Sequence, residues 1–96
     1  MQYVYPAVVY KESDQDPFVM VLPDVNIVCE GQSVEEALIE ARAQLKIYLE
    51  CVLKFGANLT RATDFMQFKE KYKDEILLLI ECDVNEDEVE EISVLF

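Results

Sequence analysis

Apolar residues recur along this chain with two different periods. Over residues 34–53, Val34, Ala37, Leu38, Ala41, Leu45, Tyr48, Leu49, Val52 and Leu53 fall at three- and four-residue steps. Glu35, Glu36, Glu40, Arg42, Gln44 and Lys46 lie mainly between them. This spacing predicts a helix of about six turns with one apolar face. Ser33 followed by Glu36 is a capping box: the serine hydroxyl takes up an orphan amide of the first turn, and the glutamate reaches back to the cap amide. Gly56 supplies the left-handed residue that ends such a helix.

On either side, shorter runs rich in Val, Ile and aromatic residues read as strands. "QYVYPAVVYK" (2–11) and "FVMVLP" (18–23) flank a polar turn, "ESDQDP", and form a hairpin; "NIVCEG" (26–31) adds a third strand. Short connections make all three antiparallel neighbours. Pro6 lacks a ladder donor, which predicts an edge position or a bulge. Thr63 or Asp64 can cap a short helix over 65–72, packed through Phe65, Phe68 and Tyr72. "EILLLIECDV" (75–84) reads as a returning strand buried on both faces, although its length also suits a short buried helix. "NEDEVEE" is an acidic solvated segment, and "EISVLF" ends the chain with strand-forming residues. The predicted class is α+β, in the order β-β-β-α-(α)-β: a three-stranded antiparallel sheet plus a returning strand, with one long helix on one face. Residues 1–84 form that domain, and 85–96 an acidic tail with a short terminal strand.

Composition narrows the function. The chain has 96 residues, enough for one modest core, and 52% of them are apolar, far above the level of disordered chains. It carries 20 Asp and Glu against 8 Lys and Arg, a net charge of −12. Such a field repels phosphate backbones and attracts basic proteins, apart from its ordinary benefit to solubility. There is no histidine, which removes His-activated nucleophiles and imidazole metal ligands. Cys29, Cys51 and Cys82 are odd in number and lack zinc-site spacing, so buried reduced thiols are expected. With no long apolar span and no basic leader, a cytoplasmic protein away from the membrane is expected. Gly31 stands alone, without a phosphate-cradling loop around it. No catalytic group, metal or cofactor is expected.

The opening "YPAVVY" strand, the acidic turn, the apolar strand ending "LPD", then "EGQSVEEAL" and "EARAQLKIYLE" resemble the HicB family of bacterial antitoxins. Pro6, Pro23, Gly31, Ser33, Glu36, Ala37 and Ala41 carry the likeness, which runs over roughly residues 3–84. The resemblance implies a partial ribonuclease-H-like fold that has lost its nuclease carboxylates. It also implies a partner of the HicA type, a small RNA-cleaving toxin with a basic surface and a histidine. The chain departs from the family pattern at "SDQDP", where a glycine is common, and at "VNIVC", which is one residue shorter. Many relatives continue past the position of Phe96 into a DNA-binding module, so direct DNA binding is not expected here.

Charge and resemblance together predict an antitoxin-like protein that covers the RNA-binding and active-site surface of a basic toxin. The expected contacts are the acidic strand ends and turns Asp14, Asp16, Asp24 and Glu30, with Asp83, Glu86, Asp87 and Glu88 in the tail. Two alternatives are a stand-alone acidic module, such as a nucleic-acid mimic for another basic protein, and a metal-dependent ribonuclease. The ribonuclease would need Asp24, Glu30 and Asp83 to gather at one sheet edge. A homodimer, formed through free sheet edges and the apolar C-terminal strand, is also expected.

Overall fold

Helix α1 (Val34–Lys54) lies across a four-stranded antiparallel sheet of order β3-β2-β1-β4. The strands are β1 (Gln2–Tyr10), β2 (Phe18–Leu22), β3 (Ile27–Gly31) and β4 (Ile76–Asp83). A 3-10 turn (Pro23–Val25) links β2 to β3, and a short helix α2 (Phe65–Lys71) precedes β4. This computed structural model describes residues 2–56 and 59–84. The predicted tail strand and the acidic positions Glu86, Asp87 and Glu88 lie outside those residues.

Both predicted ends of α1 are present. Ser33 Oγ accepts from the Glu36 N–H at 3.1 Å, the serine half of the capping box. Among the described residues no return bond from the Glu36 carboxylate is found. At the other end Phe55 is the cap residue and Gly56 takes φ +67°, a conformation a side chain would strain. Asp64, rather than Thr63, caps α2, its Oδ1 accepting from Met66 N–H at 3.0 Å and Gln67 N–H at 3.4 Å.

The core sits between α1 and one sheet face. Ala37, Ala41, Leu45 and Leu49 from the helix meet Tyr5, Ala7, Val9, Met20, Leu22, Ile27, Cys29, Ile80 and Cys82 from the strands. Strand alternation turns the neighbours Val4, Val8, Val19, Val21, Val28, Leu77 and Leu79 to the opposite face. Val8 and Phe68 are buried but lie outside the α1-side cluster. The start of the helix lies close against the sheet at Gly31. A Cβ there would stand 2.5 Å from the Ala37 nitrogen, so this corner accepts only glycine.

Two expectations are corrected. The returning strand is not buried on both faces. β4 is an outer strand, with Leu79 51% exposed and Ile76, Glu81 and Asp83 also exposed, because β1 covers one edge of it and α1 one face. Pro6, in turn, lies in an inner strand, paired with Leu79 of β4. It is tolerated because β2 pairs only with Val8–Tyr10 and leaves the sheet at Pro23, so β1 has a single partner strand where Pro6 sits.

Candidate functional site

The acidic positions singled out from sequence separate into two groups. Asp14 and Asp16 lie in the β1–β2 turn, and Glu30 pairs with Val19 beside that turn. Asp24 follows the far end of β2, and Asp83 pairs with Gln2 at the start of β1. Asp24, Glu30 and Asp83 therefore do not gather at one edge. Among the described residues no group of three or more His, Cys, Asp or Glu is placed to hold a metal ion.

Asp24 has a structural task. Its Oδ2 accepts from the Thr63 N–H at 2.8 Å and its Oδ1 from the Thr63 hydroxyl at 2.6 Å. Nearby, the Tyr5 hydroxyl donates to the Thr60 carbonyl at 2.6 Å, and the Tyr48 hydroxyl lies 3.1 Å from Thr60 Oγ1. These bonds lash the segment leading to α2 against one end of the sheet. Burial, with smaller contributions from Tyr48, Asp24 and Tyr3, pushes the Tyr5 phenol above the ordinary tyrosine value.

The opposite end of the sheet is the candidate site. Glu12, Asp16 and Glu30 line a hollow of about 130 Å³ with Pro17 and Val19. The turn that presents them is internally ordered. The Ser13 hydroxyl donates to Asp16 Oδ2 at 2.9 Å, the Asp16 N–H to the Ser13 carbonyl at 3.1 Å, and the Gln15 N–H to Ser13 Oγ at 3.3 Å. Lys11 Nζ rests 4.5 Å from the Phe18 ring centre and 3.4 Å from the Asp14 carbonyl. Its charge is thus held at the same hairpin end as the three carboxylates, which outnumber it there. Alternation places Val19 and Glu30 on the sheet face away from α1, next to the cross-strand pair Val21 and Val28. Val28 is 59% exposed. An apolar strip beside clustered carboxylates suits a protein surface, since interfaces pair a packed apolar centre with a polar rim.

Sequence reasoning missed Glu12 and Val28. Glu12 has the strand parity of Tyr10, which pairs with Val19, so the hairpin register is the signal that joins it to Glu30. Val28 was assigned only to a strand; its exposure follows from β3 being an outer strand with one face uncovered by α1.

Fold and surface together define a small acidic α+β domain whose sheet packs one face on α1 and carries the apolar strip and the carboxylates on the other. The profile of the family described as HicB-like antitoxin of bacterial toxin–antitoxin systems matches residues 5–94. The chain belongs to that family. A search of curated proteins finds no match. Among solved structures, it is similar to the N-terminal domain of the Burkholderia pseudomallei antitoxin HicB, with TM-score 0.72 and 17% identity over 85% of this chain and 100% of that one. The longer antitoxin HicB of that organism gives TM-score 0.69 and 17% identity, covering 86% of this chain; the chain thus spans 64% of the length of that relative. A HicA3–HicB3 toxin–antitoxin complex gives TM-score 0.61 and 19% identity over 85% of this chain and 100% of the matched one. At these identities the structures speak for the fold. Among the described residues no helix is long and apolar enough to cross a membrane.

Proposed function

We propose that this chain neutralises a small basic ribonuclease toxin of the HicA type by binding over its RNA-contacting and active-site surface. The chain does no chemistry in this reading. It occupies the place of the RNA, presenting carboxylates where the toxin would meet phosphates. The observation that carries it is the ordered turn at the β1–β2 end, where Glu12, Asp16 and Glu30 surround one hollow beside the exposed Val28. Family membership and the net charge of −12 support the same reading. Charge of this sign accelerates encounter with a basic partner, and the apolar strip supplies a centre that excludes water. Asp14, at the tip of the same turn, belongs to this surface; Asp24 is committed to Thr63 and does not.

Co-expression with a small basic toxin of the HicA type tests the proposal. Restored growth and co-purification are expected, with an affinity that falls as salt rises. Continued toxicity in the presence of the folded chain would overturn it.

A further inference from the structure

The first half of β1 has a strand on one flank only. β4 pairs with it from Gln2 to Val9, whereas β2 pairs only with Val8, Val9 and Tyr10 and turns away at Pro23. Arg42 Nε donates to the Glu81 carbonyl at 3.1 Å, so that carbonyl points off the outer edge of β4. In an antiparallel ladder the residue opposite then points its own main-chain groups the other way, and Glu81 is opposite Val4. The N–H and C=O of Val4, and by alternation those of Gln2, therefore face away from β4 into a groove of about 350 Å³. Residues 2–5 form one wall of the groove and residues 59–62 the other, tied by the Tyr5 hydroxyl on the Thr60 carbonyl. Val4, Leu59 and Ala62 make the lining apolar, and Arg61 adds one cation. In a chain of −12, Arg61 has no ion-pair partner among the described residues.

We propose that this groove seats the chain's own acidic tail, which enters it as a short strand beside β1. Asp83 pairs with Gln2, so the chain leaves β4 next to the mouth of the groove, on the other flank of β1. Crossing β1 takes two strand spacings, about 10 Å, and residues 85–88 can span about 13 Å. Residues 89–94 then run along the bare flank, where the main-chain groups of Gln2 and Val4 exchange water for ladder partners. Strand alternation puts Glu90, Ile92 and Val94 on one side and Val89, Glu91 and Ser93 on the other. The first set faces the groove: Ile92 and Val94 cover Leu59 and Ala62, and Glu90 meets Arg61. Charge selects this occupant, since a lone guanidinium favours the acidic tail and disfavours a basic toxin. The hollow of Glu12, Asp16 and Glu30 lies at the opposite end of the sheet, so a seated tail leaves the surface proposed for the toxin clear.

The test uses the full chain without toxin. Ile92→Asp with Val94→Asp should speed hydrogen exchange of the Val4 amide on the order of tenfold or more, while the Val8 amide and circular dichroism stay unchanged. Arg61→Glu should speed it about two- to fivefold, and adding Glu90→Arg should restore the parent rate. A nitroxide on Ser93→Cys, in a Cys51→Ser background with Cys29 and Cys82 buried, should broaden the amide signals of residues 2–5 and 59–62. When the nitroxide is on one chain and the isotope label on another, mixing the two should broaden nothing. Exchange at Val4 that the aspartate pair leaves unaltered would overturn the proposal, as would a nitroxide that broadens neither wall. Broadening of Leu77 and Leu79 in place of the groove would put the tail on the outer edge of β4 and equally reject it. So would broadening that passes between chains, which would seat the tail on a second copy.

Discussion

Asp24 holds Thr63 by two atoms at once, its carboxylate accepting from the backbone N–H at 2.8 Å and from the hydroxyl at 2.6 Å, across 39 positions of sequence. Asp24→Ala should cost about 2–3 kcal/mol, because it removes two hydrogen bonds to a charged acceptor and leaves a part-buried amide unsatisfied. Asp24→Asn, which keeps one acceptor oxygen, should cost less. Urea unfolding of Asp24→Ala, Thr63→Ala and the double variant should give a coupling of about 1–2 kcal/mol. Strictly additive losses would show that the pair does not act as a unit.

Gly31 and Ala37 make the second relationship that a single atom can break. A methyl group at residue 31 would press on the Ala37 backbone nitrogen at 2.5 Å. Backbone cannot rotate away as a side chain can, so Gly31→Ala should lose about 1–3 kcal/mol by forcing α1 off the sheet. The denaturation midpoint reports this directly. Gly56→Ala, which meets no neighbour within 4 Å, should lose stability only through its positive φ.

The domain should lose stability in alkali. Burial is the largest cause holding Tyr5, Cys29 and Cys82 above their ordinary values. Their folded forms therefore keep protons that the unfolded chain releases. Their contribution is whole below the unfolded values and fades as pH climbs through about 9 and above, where the unfolded state binds fewer protons. Thermal midpoints measured in reducing buffer should be level from pH 7 to about 8 and fall beyond about 9. Tyr5→Phe combined with Cys29→Ala and Cys82→Ala should flatten that decline, although the variant starts from lower stability.

Reversing the charges of the hollow should separate binding from folding. Glu12, Asp16 and Glu30 line a surface hollow and are exposed, so Glu12→Lys with Glu30→Lys should leave the unfolding curve within about 0.5 kcal/mol of the parent. Association with a HicA-type toxin should slow about tenfold at low ionic strength, and the difference should shrink at high salt. Equal rates for parent and variant would move the toxin contact elsewhere.

The sequence displayed what depends on neighbours close along the chain. The apolar steps from Val34 to Leu53, the Ser33 cap and Gly56 located α1, because helices are written in local spacing. Asp64 and Phe68 did the same for α2. Relations set by strand order were less visible. "ILLLI" is apolar throughout and reads as fully enclosed, but its enclosure depends on whether another strand lies outside it, and none is hydrogen-bonded there among the described strands. Pro6 misled for the same reason, since one strand can have two neighbours at one end and one at the other. In the candidate site, acidity was evident from composition. Which carboxylates meet was decided by hairpin register, which joined Glu30 to Asp16 and added Glu12, while Asp24 went to Thr63.

Strand β1 lies between a partner that follows it within the same hairpin and one that begins at Ile76. A nascent chain can therefore close the β1–β2–β3 meander and wind α1 early, but one long flank of β1 stays bare until Ile76–Asp83 has been translated. During that interval the exposed ladder from Gln2 to Val9 is what chaperones and neighbouring nascent chains can reach. Stalling or premature termination before codon 76 would leave a product that has a helix and a hairpin and lacks the strand that seals them.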